Sequence, residues 1–176
     1  MSIWPRIVRV RESSAGDVEA LATLKAGVED ATYSRYGTAE EHRISQQDFC
    51  SADYIRGLGQ RGTVLVAEES DGSIVGMVAR RSKDQHLEVS ALYCAAPHRG
   101  IGTQLVLAAI AAADDYRDVE IEVFEKNTTA RKFFERLGFS YSGDWRESES
   151  YSGQKLLRLH ATAGLVRQYA KADAEK

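Results

Sequence analysis

Residues 96–113 read "APHRGIGTQLVLAAIAAA": Gly100 and Gly102 stand immediately before a run of apolar residues with the composition of a helix. Inside a helix each glycine costs about 1 kcal/mol relative to alanine, so their position needs a reason. One is a tight turn from strand into helix, which glycine's access to positive φ permits. The other is a helix start left bare, so that a phosphate can reach N–H groups that together present about half a positive charge.

The flanking sequence sets the kind of fold that carries this turn. "QHLEVSALYC" (85–94) before it reads as a strand, and the alanine-rich run predicts a helix over about 101–114. "DVEIEVFE" (118–125) follows as a strand with Val119, Ile121 and Val123 on one face. "NTTARKFFERLGF" (127–139) is a short amphipathic helix that Gly138 ends. Upstream, "GTVLVAEES" (62–70) and "GSIVGMVARRS" (72–82) flank Asp71-Gly72, a hairpin signal. "RIVRVRE" (6–12) alternates as a strand with Ile7 and a neighbouring valine inward. "SSAGDVEALATLKAGVEDA" (13–31) opens a helix with Ser14 as N-cap, Asp17 in the first turn, and Val18, Leu21, Leu24 and Val28 on one stripe. A polar connection (32–42) and a weaker helix (46–58) come next, and 138–145 with 153–161 close the chain's sheet as an antiparallel pair. The tail, 162–176, continues as a helix with a frayed end. The order β-α-α-β-β-β-α-β-α-β-β predicts an α/β (α+β) fold, a mixed, mostly antiparallel sheet of about six or seven strands with helices on both faces.

The chain of 176 residues reads as a single domain with its core at about 7–161 and a C-terminal extension over 162–176. A net charge of −3 and a pI near 5.8 argue against nucleic acid and anionic membrane as partners. Cys50 and Cys94 do not form a disulfide framework, and no stretch has the pattern of a membrane span or a secretory leader, so the expected location is the cytoplasm. The four histidines lack metal-ligand spacing, and no Ser/His/Asp nucleophile arrangement is evident, so no metal is expected.

Two stretches taken together, "LYCAAPHRGIGTQLV" (92–106) and "VFEKNTTARKFFERLGF" (123–139), resemble the GCN5-related N-acetyltransferase (GNAT) superfamily, a likeness that runs from about Val8 to His160. The resemblance implies a GNAT fold that binds acetyl-coenzyme A. Its R/Q-x-x-G-x-G/A motif, which holds the pyrophosphate, falls on Arg99, Gly100, Ile101, Gly102 and Thr103. Two registers fit: starting at Arg99 it meets Gly102 and then Gln104, and pairing Gly100 with Gly102 starts it at Pro97. The family's N-x-x-A-x-x-F-Y-E-x-x-G-F segment is met by Asn127, Ala130, Phe133, Glu135, Gly138 and Phe139, and Phe134 stands where the family usually places tyrosine. Asn127, Ala130 and Phe134 share a helical face that should look toward the cofactor. Asn127 is also placed to be an N-cap. The backbone of Leu92, Tyr93 and Cys94 corresponds to the strand end that pairs with the pantetheine arm and lends an amide to the thioester oxygen.

The chemistry this implies is direct acetyl transfer from acetyl-CoA to a primary amine on a small molecule, an antibiotic or a peptide. The attacking amine must first lose a proton. Glu88, on the strand leading to "LYC", is the candidate acceptor of that proton, with Glu120 and Glu122 on the next strand as competitors. Without a hydroxyl at Phe134, Tyr93 or Tyr141 is left to protonate the leaving sulfur. "EDATYSRYG" (29–37), rich in acid and tyrosine, suits an amine site at the first helical pair. The alternative is an acyl-CoA binding or regulatory module with little catalysis, and a homodimer is compatible with either.

Overall fold

Residues 8–83, 85–96 and 100–174 are described in the computed structural model; Ile7, Pro97 and Arg99, each part of an expectation above, lie outside them. The Asp71-Gly72 pair turns the chain as its chemistry predicts. Gly72 takes φ +86°, and the Asp71 carboxylate accepts hydrogen bonds from the Ser73 N–H (2.9 Å) and hydroxyl (2.6 Å). The arms are β2 (Thr63–Glu68) and β3 (Ile74–Ser82), paired antiparallel. Around them stand β1 (Arg9–Glu12), β4 (His86–Cys94), β5 (Asp118–Phe124), β6 (Ser140–Glu147) and β7 (Lys155–Thr162), in the spatial order β1-β2-β3-β4-β5-β7-β6. Every neighbouring pair is antiparallel except β4 and β5. This is the mixed, mostly antiparallel sheet that the sequence predicts.

The two-residue period of β2 sends Leu65 and Ala67 to one face and Val64 and Val66 to the other. On the first face α4 (Ile101–Ala109), α5 (Thr128–Arg136) and α6 (Ala163–Ala174) enclose a core containing Val78, Val89, Leu105, Ile121 and Phe134. On the second, α1 (Val18–Tyr33) and α3 (Ala52–Arg61) cover Val66 and Met77 with Leu21 and Ile55, and α2 (Ala39–Phe49) packs beside α1.

Four details depart from the expectations. Ser14 opens only a short 3₁₀ turn (Ala15–Asp17), and α1 proper starts at Val18. The expected helix over 46–58 is two helices. Thr38 and Glu41 form a reciprocal capping box that starts α2 inside the expected connection, and the Ser51 hydroxyl accepts from Tyr54 N–H at 3.2 Å to start α3. The alanine-rich helix stops at Ala109 instead of reaching 114. Arg80 donates to the Ala109 carbonyl (2.9 Å), and Arg167 to those of Ile110 (2.8 Å) and Ala113 (2.6 Å), so tertiary contacts satisfy the chain end that propensity would have kept helical. The inward stripe of α1 is Val18, Leu21, Ala22, Lys25 and Glu29, whereas Leu24 and Val28 are only half-buried. A Lys–Glu pair thus faces inward where the apolar period predicted valine and leucine.

Candidate functional site

The site begins where the sheet parts. β4 and β5 share only three rungs, His86–Glu88 against Asp118–Glu120, while β5 stays paired with β7 to Phe124. From Val89 to Cys94 the β5-facing edge of β4 has no strand partner among the described residues. A bulge accompanies the parting: Val78 of β3 faces both Ala91 and Leu92 of β4, and Ala91 takes φ +50°. That left-handed conformation costs a non-glycine residue about 1–2 kcal/mol. The extra residue shifts the alternation, so that Leu92 and Cys94 follow Leu87 and Val89 onto the α4 face while Ala91 and Tyr93 face α1. The parting opens a cleft of about 1910 Å³ that runs from Gly100 past Leu92 and Phe134 to Glu29 and Tyr151.

At one end of the cleft is the start of α4. Gly100 is the N-cap residue with φ +72° and no side-chain cap, and the first helical bond is Gln104 N–H to its carbonyl (3.1 Å). The N–H groups of Ile101, Gly102 and Thr103 therefore precede the helix ladder, and among the described residues no capping side chain covers them. Gly102 has a packing reason of its own: a Cβ there would lie 3.1 Å from Phe133 Cζ and 3.8 Å from Cys94 Sγ. Gly100 is thus required for its φ, and Gly102 sits close under an aromatic ring. Burial pushes the Cys94 thiol up to about 11, so it stays protonated.

Asn127 caps α5, one of its two expected parts, and lines the cleft. Its Oδ1 accepts the Ala130 N–H (3.0 Å) as the cap of α5, and its Nδ2 points at the Tyr33 hydroxyl (3.4 Å) across the cleft. Ala130, Phe133 and Phe134 line the same cleft, but Phe134 is chiefly a core residue, buried edge-on against Phe133 and Phe139.

Across the sheet, α1 delivers a buried polar cluster. Glu29 is bridged to Lys25 one turn earlier. It accepts from the Tyr93 hydroxyl (2.6 Å) and from the Cys50 thiol (3.1 Å). The Lys25 ammonium lies over the rings of Tyr93 (4.9 Å) and Tyr54 (5.1 Å). Burial and then the Glu29 charge raise the Tyr93 phenol well above its ordinary value, and burial raises Cys50 to about 12. The Tyr93 hydroxyl is therefore engaged on the α1 side. Tyr141 donates to the carbonyl of Gly143 on its own exposed strand (3.0 Å) and does not line the cleft.

Glu88 lies on the cleft floor, bonded to Arg81 (2.9 Å) and paired with Lys83. Burial alone would raise its pKa, but these two cations outweigh it and hold the carboxyl below the ordinary value. Glu120 and Glu122 join a network with Arg158 (3.2 Å to Glu120) and Arg146 (2.8 Å to Glu122). Sequence reasoning marked the stretch holding Glu29 and Tyr33 but missed Lys25, Cys50 and Tyr151. The available signal was the i, i+4, i+8 spacing of Lys25, Glu29 and Tyr33, which puts all three on one face of α1.

Comparison with known proteins shows the family and the fold. The family model described as "Acetyltransferase (GNAT) family" matches residues 27–139, and the chain belongs to that family. No curated protein matches the sequence. Among solved structures, PaiA N-acetyltransferase from Thermoplasma acidophilum, in complex with coenzyme A, is similar with a TM-score of 0.74 at 18% identity, covering 89% of this chain and 99% of that one. YjaB from Escherichia coli in its apo form gives 0.65 at 24% identity, covering 88% and 97%. An N-acetyltransferase from Staphylococcus aureus gives 0.63 at 18%, covering 89% and 99%. Among the described residues no helix is long and apolar enough to cross a membrane.

Proposed function

We propose that the protein transfers the acetyl group of acetyl-CoA directly to a primary amine. The observation that carries this reading is the unpaired edge of β4, which leads along the cleft to the uncapped start of α4. A pantetheine arm has amide groups that can pair with such an edge as an added strand does. In this reading the backbone of Leu92, Tyr93 and Cys94 and the amide of Asn127 hold the arm, while Ala130, Phe133 and Phe134 form its apolar wall. The N–H groups of Ile101, Gly102 and Thr103, after Gly100, meet the pyrophosphate, with Arg99 adding charge. The complex of the Thermoplasma neighbour with coenzyme A supports the same ligand here.

In the reaction the amine nitrogen bonds to the thioester carbon, a backbone amide at the bulge steadies the oxyanion, and the C–S bond breaks to release thiolate. Lys83 and Arg81 keep Glu88 ionised, which suits it to pass the amine's proton on to solvent and not to retain it. Phe134 has no proton to give and the Tyr93 hydroxyl is bonded to Glu29, so sulfur leaves as thiolate, tolerable for a thiol with a pKa of about 8.5. The same two observations favour the rival reading, a module that binds acyl-CoA without turning it over. Acetyl-CoA with a panel of amines decides: saturable, amine-dependent release of free thiol is expected, and tight cosubstrate binding with no release for any amine overturns catalysis.

A further inference from the structure

The acceptor half of the cleft has a chemistry of its own. Among the described residues six carboxylates line the cleft; Asp173 sits on α6, on the α4 face, and each of the other five, at the acceptor end, has a cationic partner. Glu29 has Lys25, Glu88 has Arg81 and Lys83, Glu120 has Arg158, Glu122 has Arg146, and Glu149 has Arg146 at 3.6 Å. A polycationic acceptor needs carboxylates free to neutralise several ammonium groups, and here it would have to break internal pairs to find them. The wall beside those pairs is aromatic. Tyr33 and Tyr36, at the end of α1, meet Phe124, the last residue of β5, with centroids 4.9 and 5.2 Å away. Tyr151, from the β6–β7 connection, backs them at 5.9 Å from Phe124 and is itself buried, whereas Tyr33, Tyr36 and Phe124 are half-buried and line the cleft. The wall is fixed in place: Tyr151 is hydrogen-bonded to His42 (2.8 Å), and Ser152 N–H to Glu41 (3.0 Å) ties the β6–β7 connection to α2.

From the internally neutralised floor and this rigid aromatic wall we infer that the acceptor is a monoamine carried on a flat, apolar body of about one ring, the arylalkylamine class. The inference rests on the acetyltransferase reading for the reaction but not for the binding. The ring of the acceptor packs against Tyr36 and Phe124, and its amino group points along the floor toward the bulge at Ala91. Such a body loses little hydration in reaching an aromatic wall and adds ring contacts there.

The test is equilibrium calorimetry with phenethylamine, n-butylamine and spermidine, on the protein with and without coenzyme A. Phenethylamine is expected to bind at least about tenfold more tightly than either other amine. Tyr36→Leu and Phe124→Leu, which keep bulk but remove the ring, should each weaken it by about 3- to 10-fold, the worth of one aromatic pair. Tm measured on each variant identifies one that has merely unfolded, and Tyr36→Phe, which keeps the ring, should retain the affinity. Equal or tighter binding of spermidine, or no loss on removing the rings, overturns the inference whatever the turnover. Preferential phenethylamine binding without thiol release would keep the inference and remove the acetyltransferase reading.

Discussion

The hydroxyl of Tyr93 donates to Glu29 across 2.6 Å, so the residue after the β4 bulge is tied to the inward face of α1. Glu29 and Lys25 are both buried, and removing one partner strands the other's charge. Lys25→Met should destabilise the fold by about 3–5 kcal/mol in chemical denaturation, and the double variant Lys25→Met, Glu29→Gln, which removes the stranded charge but keeps an acceptor for the Tyr93 hydroxyl, should recover much of that loss. A double variant as unstable as the single would show that the pair is not what the site requires.

Gly102 allows a test that separates packing from ligand. A Cβ there would press on the ring of the half-buried Phe133, so the stability change of Gly102→Ala should be more favourable in a Phe133→Leu background than in the unaltered protein. Gly102→Glu should weaken coenzyme A binding sharply, by setting a negative charge where the pyrophosphate is proposed to sit. Unchanged affinity in folded Gly102→Glu would leave Phe133 as the whole reason for that glycine.

Asn127 uses its two side-chain atoms differently, and substitutions can take them apart. Asn127→Ala should lose about 0.5–2 kcal/mol with the cap to Ala130 N–H. Asn127→Asp keeps a cap oxygen and removes the amide aimed at Tyr33. It should retain most of the melting temperature and lose coenzyme A affinity; normal affinity would reduce Asn127 to a cap.

Asp17 makes a pH prediction. Arg11, bonded at 2.8 Å, outweighs burial and, with the Ser14 N–H and hydroxyl, holds its carboxyl far below the ordinary 3.8. A carboxylate depressed in the folded state contributes stability above its unfolded pKa and loses it as pH falls toward the folded value. The Tm difference between the protein and Asp17→Asn should therefore be full above about pH 5 and shrink below about pH 4. A difference that stays constant into acid would rule out the ion pair as its source.

Much of this architecture was legible in the sequence because it rests on local rules. Alternation in 62–70 and 118–125, the Asp71-Gly72 turn and the Gly138 stop each act within a few residues. What could not be read depended on partners far along the chain. The end of α4 is set by Arg80 and Arg167. The inward turn of Lys25 and Glu29 is set by Tyr93 and Cys50. The split of 46–58 is different, since T-x-x-E at Thr38 and the serine at 51 were visible and carry their own capping chemistry. At the site, the strand end and Asn127 were legible as motif, whereas the engagement of the Tyr93 hydroxyl was not, because nothing local says which helix a strand residue meets.

Three rungs between β4 and β5 join a four-stranded plate to a three-stranded one. Mechanically the sheet is a book with a short spine at His86–Glu88. Beyond that spine β4 and β5 share no rung among the described residues. Side chains cross the gap instead: Tyr33 and Tyr36 of α1, which packs on the first plate, meet Phe124 at the end of β5. The gap that lacks backbone rungs is therefore held by aromatic contacts, and a molecule lying between the plates adds a second clasp.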